Sequence, residues 1–298
     1  MKKNYLMLYL IRMKLIKYFF QFLLIIPFFL LFKIIGLKYS SFIGGKLFEA
    51  IGPFFRSKRI IYSNINNALP KISSREIKKI TKQMWNNYGR VFAEYIFIKS
   101  FRNELFNSHI LIKGQDILDD IKKNNKPIIF VSGHLSNFEL MAMVIEKSGI
   151  KLAAIYRPLN NYFLNILMEK IRKKYICKQQ IKKGIGGLKE IIRLNKIGYS
   201  TALMIDQRVS EGIKINFFGQ TAFTTTIPAQ LVKKYGYPVV FLHIERYEDI
   251  KFKIVVQNPI YFSKNDTSIK ITEKLNNHLE KMILSKPGHW IWSHNRWK

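Results

Sequence analysis

The chain of 298 residues contains one cysteine, Cys177. A single thiol cannot form an intramolecular disulfide, which excludes a disulfide-stabilised framework and is compatible with a reducing compartment. The apolar residues Tyr-Ile-Cys between Lys174 and Lys178 predict a short strand at this point. We therefore expect a structural thiol here and not a catalytic one.

Acidic residues are also scarce, because 19 Asp and Glu stand against 50 Lys and Arg, for a net charge of +31. This excess predicts an anionic partner, which could be nucleic acid, anionic lipid or an acidic protein. Part of the excess follows from a composition rich in Lys, Asn and Ile throughout the chain. Nucleic acid is the least supported partner, because no cluster of aromatic and basic residues accompanies the charge, and we expect no nucleic acid.

The N-terminal apolar segment is shorter than a typical transmembrane helix. Its uncharged part, residues 18–32, has 15 residues, and at about 1.5 Å per residue it would cover roughly 22 Å of a hydrocarbon core of about 30 Å. Flanking lysines could extend it by snorkelling, while Pro27 would kink it. No small-residue cleavage site closes the run, so we expect a retained anchor, residues 1–44, that spans the bilayer or lies in one leaflet. We see no interior linker and expect one folded domain, residues 45–298.

The first part of this domain has the pattern of helices. Residues 45–106 carry apolar side chains at helical spacing, and Pro70 ends one segment. Ser73 followed by Glu76 predicts a capping box at the start of the next helix. Glu94 is a polar residue in an apolar stretch, and its expected partner is Arg90, four residues earlier.

A strand, a turn and a helix surround His134. The apolar run from Ile128 to Val131 follows Pro127 and predicts a buried strand of a parallel or mixed sheet. Ser132 and Gly133 interrupt it, and a helix is expected to begin with Ser136 or Asn137 as N-cap. His134 thus lies at the carboxyl end of a strand, where open α/β sheets bind their ligands. Glu139 follows in the first turns of the helix.

The pair of His134 and Glu139 suits general base catalysis. An imidazole that titrates near neutrality can take a proton while a carboxylate fixes its tautomer and stabilises the imidazolium. A metal site is the first alternative, but the spacing differs from His-Glu-x-x-His and a third ligand is missing nearby. A structural histidine in a capping turn is the second alternative.

The rest of the chain alternates between strand and helix. Strands are predicted at 152–156 and 202–205, helices at 162–174 and 187–194, and a hairpin at 239–244 and 252–256. This order predicts an α/β fold with a central, mostly parallel sheet flanked by helices. Arg157 and Asp206 follow two of these strands directly, so both are expected at the sheet edge that carries His134.

Several blocks resemble one family in order and spacing. They are Gly-His-x4-Glu at His134, Tyr-Arg-Pro-Leu-Asn-Asn at 156–161, Asp-Gln-Arg at 206–208, Phe-Phe-Gly-Gln at 217–220 and Trp-x-Trp-x-His-x-Arg-Trp at 290–297. Together they resemble the lipid A secondary (lauroyl/myristoyl) acyltransferases, within the His-x4-Asp/Glu glycerolipid acyltransferase superfamily. The resemblance extends over nearly the whole chain.

The resemblance implies a reaction and a place for it. A fatty acyl chain would move from acyl carrier protein to a hydroxyl of a lipid A precursor, with His134 as general base oriented by Glu139 and with no cofactor and no metal. Arg157, Asp206 and Arg208 would bind substrate. The enzyme would lie on the anionic bacterial inner membrane, with its catalytic domain, residues 45–298, on the cytoplasmic side. Another phosphoglycolipid or a lysophospholipid remains possible as the acceptor. A non-catalytic role of the protein, as a lipid-binding scaffold, is a further alternative.

Overall fold

The computed structural model describes residues 2–103 and 108–298. Within these ranges, seven strands form a central sheet in the spatial order β1-β9-β8-β2-β5-β3-β4. All neighbouring strands are parallel except β8 and β9, which form an antiparallel hairpin. The strands are β1 (Ile110–Lys113), β2 (Ile129–Ser132), β3 (Leu152–Tyr156), β4 (Gln179–Lys182), β5 (Ser200–Met204), β8 (Val239–Glu248) and β9 (Lys251–Val256).

Helices flank this sheet, which confirms the predicted α/β fold. Two further strands, β6 (Ile213–Phe217) and β7 (Gln220–Thr224), form a separate antiparallel hairpin. The helices are α1 (Lys2–Ile35), α2 (Leu37–Phe55), α3 (Lys58–Ala68), α4 (Ser74–Glu94), α5 (Ile98–Arg102), α6 (Gln115–Asn124), α7 (Glu139–Lys147), α8 (Tyr162–Tyr175), α9 (Ile185–Lys196), α10 (Ile227–Tyr235) and α11 (Ser268–Ser285).

The strand before His134 lies at the centre of the sheet. Every residue of β2 is buried, because β5 and β8 cover its two edges and helices cover its faces. Apolar side chains on both faces are what a central parallel strand needs. Ser132, the last residue of β2, faces Met204, the last residue of β5, in the parallel register. The two strands therefore end at the same edge of the sheet.

Local signals in the sequence explain several element boundaries. Helix α4 begins with the predicted capping box, in which the Ser73 hydroxyl accepts from the Glu76 N–H at 3.2 Å and the Glu76 carboxylate accepts from the Ser73 N–H at 3.1 Å. The prediction for α7 was wrong at its start, because the helix begins at Glu139 with Phe138 as N-cap. The strand predicted around Cys177 was also wrong, since this residue lies between α8 and β4.

The hairpin of β6 and β7 was not foreseen. Its two-residue turn consists of Phe218 and Gly219, both with positive φ (55° and 72°). Mirror-image turns of this kind connect twisted strands well, but they usually carry Asn or Gly at the first position. A phenylalanine there gives no turn signal in the sequence.

Helix α1 is the N-terminal apolar element. Its segment Arg12–Ile35 is long and apolar enough to cross a membrane by length and composition, and little of it is buried. One side of α1 contacts the rest of the chain, where Phe163 packs 5.4 Å from the Phe19 ring and Asn161 Nδ2 donates to the Tyr18 carbonyl at 2.8 Å. Helix α2 follows after Gly36 and runs across residues 44 and 45. The division of the chain at this point stays a prediction.

Helices α2 and α4 cross in close contact at two glycines. A Cβ atom on Gly89 would lie 1.9 Å from the Gly44 carbonyl oxygen, and one on Gly44 would lie 2.6 Å from the Gly89 oxygen. Neither position has room for a methyl group. The backbones can therefore approach closely only because both residues are glycine.

We expect Gly89→Ala to destabilise the protein by about 1–3 kcal/mol, the usual cost of overpacking a tight contact. The midpoint of thermal unfolding in detergent measures the effect. Gly186→Ala in α9 is the matched control, because nothing lies within 4 Å of its added Cβ. An equal midpoint for the two variants would contradict the close approach of α2 and α4.

Candidate active site

The turn after β2 brings His134 to the carboxyl edge of the sheet. Gly133 precedes it, and a Cβ there would lie 2.9 Å from the Leu279 side chain and 3.4 Å from Asp206. A larger residue at this position would require the Leu279 side chain to shift. Ser136 has a positive φ of 46°, which is uncommon outside glycine. The turn is thus held in a specific conformation by its surroundings.

The imidazole of His134 bonds to Asp206, the residue that follows β5 by two positions. Nδ1 of His134 lies 2.8 Å from Oδ1 of Asp206, and the His134 main-chain N–H donates to Oδ2 at 2.8 Å. Because a carboxylate can only accept, Nδ1 carries the proton. Nε2 is then the basic nitrogen, and the His134 side chain keeps 21% of its surface exposed. The ring can therefore accept a proton from a molecule that reaches the edge of the sheet.

Asp206 is fully buried and has a third donor. The indole Nε1 of Trp290 donates to its Oδ2 at 2.9 Å. Burial alone raises the pKa of a carboxyl, but the charge of His134 and the hydrogen bonds from His134 and Trp290 outweigh burial and lower the pKa of Asp206 to about 2. Asp206 is therefore a carboxylate at neutral pH and can stabilise an imidazolium.

Glu139, the residue predicted to orient His134, bonds to an arginine of α8 in this structure. Glu139 accepts from Nε of Arg172 in α8 at 3.0 Å, and Nη2 of Arg172 also bonds to the same carboxylate. Both side chains are largely buried, at 8% and 11% exposure. The Glu139 carboxylate thus joins α7 to α8, and the carboxylate on the imidazole is that of Asp206.

The three predicted substrate-binding residues lie at one sheet edge but in different settings. Asp206 is fully buried and bonds to His134, and its role in substrate binding stays a prediction. Arg157 is exposed, and no hydrogen bond or ion pair engages it within the described ranges. Arg208 donates from Nε to the Lys298 main-chain oxygen at 2.9 Å and lies over the Phe223 ring. Arg157 therefore has the freer guanidinium.

A buried ion pair that the sequence did not reveal holds the turn from behind. Glu94 pairs with Arg246 of β8 through two hydrogen bonds of 2.6 and 2.9 Å, and not with Arg90 as predicted. Glu94 also accepts from Asn137 Nδ2 at 3.0 Å. The Arg246 main-chain N–H donates to the Ser136 hydroxyl at 3.3 Å. Two residues of the His134 turn are therefore fixed to α4 and β8.

The C-terminal segment closes the same region from the other side. Trp290 and Trp292 are buried and belong to the core. Nε2 of His294 accepts from the Arg208 main-chain N–H at 2.9 Å, and burial lowers the pKa of His294 to about 4, which keeps that nitrogen an acceptor. The block at 290–297 thus supports Asp206 and the loop that follows it.

Comparison with known proteins shows the family of this chain. The family model described as bacterial lipid A biosynthesis acyltransferase matches residues 9–298. The chain belongs to this family. It is therefore an acyltransferase of lipid A biosynthesis, as the resemblance of the sequence blocks had implied.

Individual relatives of this lipid A acyltransferase are distant in sequence. It is 21% identical over 242 residues to lipid A biosynthesis acyltransferase 2 of Shigella flexneri, covering 80% of this chain and 76% of that protein. It is also 21% identical over 253 residues to the lipid A biosynthesis myristoyltransferase of Escherichia coli (strain K12), covering 83% of this chain and 76% of that protein. The family match therefore covers nearly the whole chain, although the identity to these two relatives is low.

Proposed function

We propose that this enzyme transfers a fatty acyl chain from acyl carrier protein to a hydroxyl group of a lipid A precursor. The observation that carries the proposal is the hydrogen bond between His134 and Asp206. It leaves Nε2 of the imidazole as the unprotonated nitrogen at the carboxyl edge of the sheet. A hydroxyl bound there would meet a base whose conjugate acid a buried carboxylate stabilises.

In the proposed reaction, Nε2 of His134 removes the proton of the acceptor hydroxyl as its oxygen attacks the thioester carbonyl. A C–O bond forms, and the tetrahedral intermediate then collapses with cleavage of the C–S bond. The imidazolium returns its proton to the departing thiolate of the carrier's phosphopantetheine. No cofactor takes part, and Asp206 remains ionised throughout. Glu139 acts on His134 only indirectly, because its bond to Arg172 fixes the start of α7.

Arg157 is the proposed ligand of an anionic group of the donor or acceptor. It follows β3, which lies next to β5, and neighbouring strands of a sheet are about 4.8 Å apart. The carboxyl ends of β2, β5 and β3 therefore place His134, Asp206 and Arg157 in a row along one edge. A guanidinium binds phosphate or a developing oxyanion through two parallel hydrogen bonds.

The position of α1 supports an acceptor held in a membrane. The loop after β3, which begins with Arg157, is tied to α1 by the Asn161 bond to Tyr18. Apolar side chains are exposed on this loop and in the first turns of α8 and α9, namely Leu159, Tyr162, Ile166 and Ile185. They extend the apolar surface of α1 toward the site. We propose that this surface rests on the inner membrane, with the catalytic domain on its cytoplasmic side, where acyl carrier protein is available.

Mass spectrometry of lipid A tests the proposed reaction. Cells that lack this chain should produce lipid A missing one acyl group, and the wild-type gene should restore that mass. The His134→Ala variant, expressed at the same level, should not restore it. Unchanged lipid A in the deletion strain would contradict the acceptor, and purified enzyme with an acyl carrier protein donor would then be tested on lysophospholipid.

Replacement of Arg157 should separate two roles for its charge. Arg157→Lys keeps the charge but loses the planar fork, so we expect about a tenfold or greater loss of kcat/KM if the contact is bidentate. Arg157→Ala should lose more. Arg193→Lys is the matched control, because that exposed arginine pairs only with Glu190 of its own helix among the described residues. Full activity of Arg157→Lys would show that a positive field suffices.

A further inference from the structure

A solvent-open cavity lies next to the catalytic turn, and His134 is not among the residues that line it. It has a volume of about 810 Å³ and lies between α2, α4 and the short helical turn Pro287–His289. Its charged lining is strongly basic, with six basic side chains against two acidic ones, Glu49 and Glu76. The basic residues are Lys46, Lys79, Lys82, Arg90, Arg246 and Lys286.

The acidic residues neutralise only part of this charge. Glu49 pairs with Lys46 at 3.5 Å and with Lys82 at 3.6 Å. Glu76 is engaged in the capping box of α4. Two of the basic residues pair with carboxylates outside the lining, Arg246 with Glu94 and Lys286 with Glu245 at 3.3 Å. Lys46 and Lys82 share the single carboxylate of Glu49. Across the described ranges, Lys79 and Arg90 form no ion pair, so an excess of positive charge remains on the α2 and α4 side of the lining.

The basic groups also repel one another, which indicates room for an anion. The pKa of Arg90 is lowered first by burial and then by the charge of Arg246. The pKa of His289 is lowered to about 4 by burial and by Arg246 and Lys286. Nε of Arg246 is buried and has no hydrogen-bond partner within the described residues. An anion in the cavity would relieve this repulsion.

An exposed apolar face adjoins the cavity on α2. Phe42 and Ile43 keep 51% and 45% of their surface exposed, and Tyr39 precedes them on the same helix. Lys46 lies four residues after Phe42, with its ammonium group 5.9 Å from the centre of that ring. Helix α2 follows the apolar helix α1 in the chain, with Gly36 between them. An anionic group flanked by apolar chains is the chemistry of a lipid.

We propose that the cavity binds the phosphate of an anionic membrane lipid, with the acyl chains along Phe42 and Ile43. The cavity also contacts the catalytic turn, because His289 Nδ1 lies 2.8 Å from the Ser136 hydroxyl and Asn87 Nδ2 lies 3.5 Å from the Ser136 carbonyl oxygen. A bound headgroup is therefore one contact away from the turn that carries His134. The binding itself does not depend on the acyl transfer proposed above.

Lipid binding to the full-length protein in a neutral detergent tests this site. Native mass spectrometry would give the apparent Kd for short-chain phosphatidylglycerol, phosphatidylcholine and inorganic phosphate. Binding should be strongest for phosphatidylglycerol. The exposed lysines of the cavity are replaced in Lys46→Gln/Lys79→Gln/Lys82→Gln. The matched control Lys122→Gln/Lys123→Gln/Lys126→Gln removes the same charge from the exposed end of α6 and the residues after it. The cavity variant should bind phosphatidylglycerol roughly tenfold more weakly, and the control should not.

Other results would overturn the proposal. Equal weakening by the two triple variants would show that net charge alone attracts the lipid. Inorganic phosphate that binds as tightly as phosphatidylglycerol would show a phosphate site without a lipid role, and Phe42→Ser should then leave binding unchanged. If the triple variant fails to fold, the exposed single replacement Lys79→Gln is measured, and wild-type affinity in that variant would also contradict the site.

Discussion

Asp206→Asn is expected to lower acyl transfer by about 10³–10⁴-fold, the range in which a wrong histidine tautomer disables a catalytic triad. An amide that donates to Nδ1 of His134 would move the imidazole proton to Nε2. The nitrogen that faces the acceptor could then no longer take a proton. The turnover number of the purified enzyme at saturating substrate measures the effect, normalised to folded protein.

The His134→Ala variant shows whether the two residues act as one unit. A general base contributes about 10²–10⁴-fold, so this variant should be impaired on a similar scale. The double variant should be little worse than the more impaired single variant, because Asp206 acts only through the imidazole. Multiplied losses would show independent roles. Activity of Asp206→Asn within threefold of wild type would refute the assigned role of this carboxylate.

The buried charge of Asp206 also has a consequence for stability. Its pKa in the folded protein is about 2, below the ordinary value of 3.8. A lowered pKa means that the carboxylate stabilises the fold at pH values above the ordinary pKa. This contribution is lost as the pH falls from about 4 through about 2. Asp206 stays ionised at neutral pH. A pH dependence of catalysis near neutrality is therefore not caused by its titration.

Glu139→Ala is expected to cost about 3–5 kcal/mol of stability, because it leaves the guanidinium of Arg172 buried without its carboxylate. Its turnover per folded molecule should fall less than that of Asp206→Asn, since the Asp206 bond to His134 remains. Glu139→Asp keeps the charge with a shorter reach and should retain partial stability and activity. Urea unfolding in detergent and the turnover number separate the two effects.

A double replacement provides the control for Glu139. In Glu139→Leu/Arg172→Leu both charges are removed together, and apolar pairs of similar volume are often as stable as buried ion pairs. We expect the double variant to recover most of the stability that Glu139→Ala loses. If it recovers activity as well, Glu139 acts through the packing of α7 and α8. A stable but inactive double variant would instead indicate that Glu139 acts directly on the imidazole.

Much of the fold could be predicted from local patterns. The central strand before His134 is an uninterrupted apolar run, and the strand at 152–156 was predicted with its observed bounds. Ser73 and Glu76 marked the start of α4 because a capping box is a local interaction. The hairpin with Phe218 in its turn escaped notice, since phenylalanine at a position with positive φ gives no local turn signal.

The sequence by itself determined which residues reach the active edge. The strands that precede His134, Arg157 and Asp206 were predicted to belong to one mostly parallel sheet, and parallel strands in one sheet end on the same side. The blocks of the sequence likewise identified the family. Both conclusions rest on the spacing of apolar residues and on the order of the sequence blocks along the chain, which do not depend on tertiary contacts.

Only the tertiary structure decided which charges meet. Glu139 is the carboxylate nearest to His134 in sequence, but α7 begins at that residue and its side chain pairs with Arg172 across to α8. Asp206 is 72 residues from His134 and contacts it because β2 and β5 are paired. Glu94 and Arg246 are 152 residues apart and meet across α4 and β8. Buried charges must find partners in three dimensions, and those partners are chosen by the packing of strands and helices that no local pattern specifies.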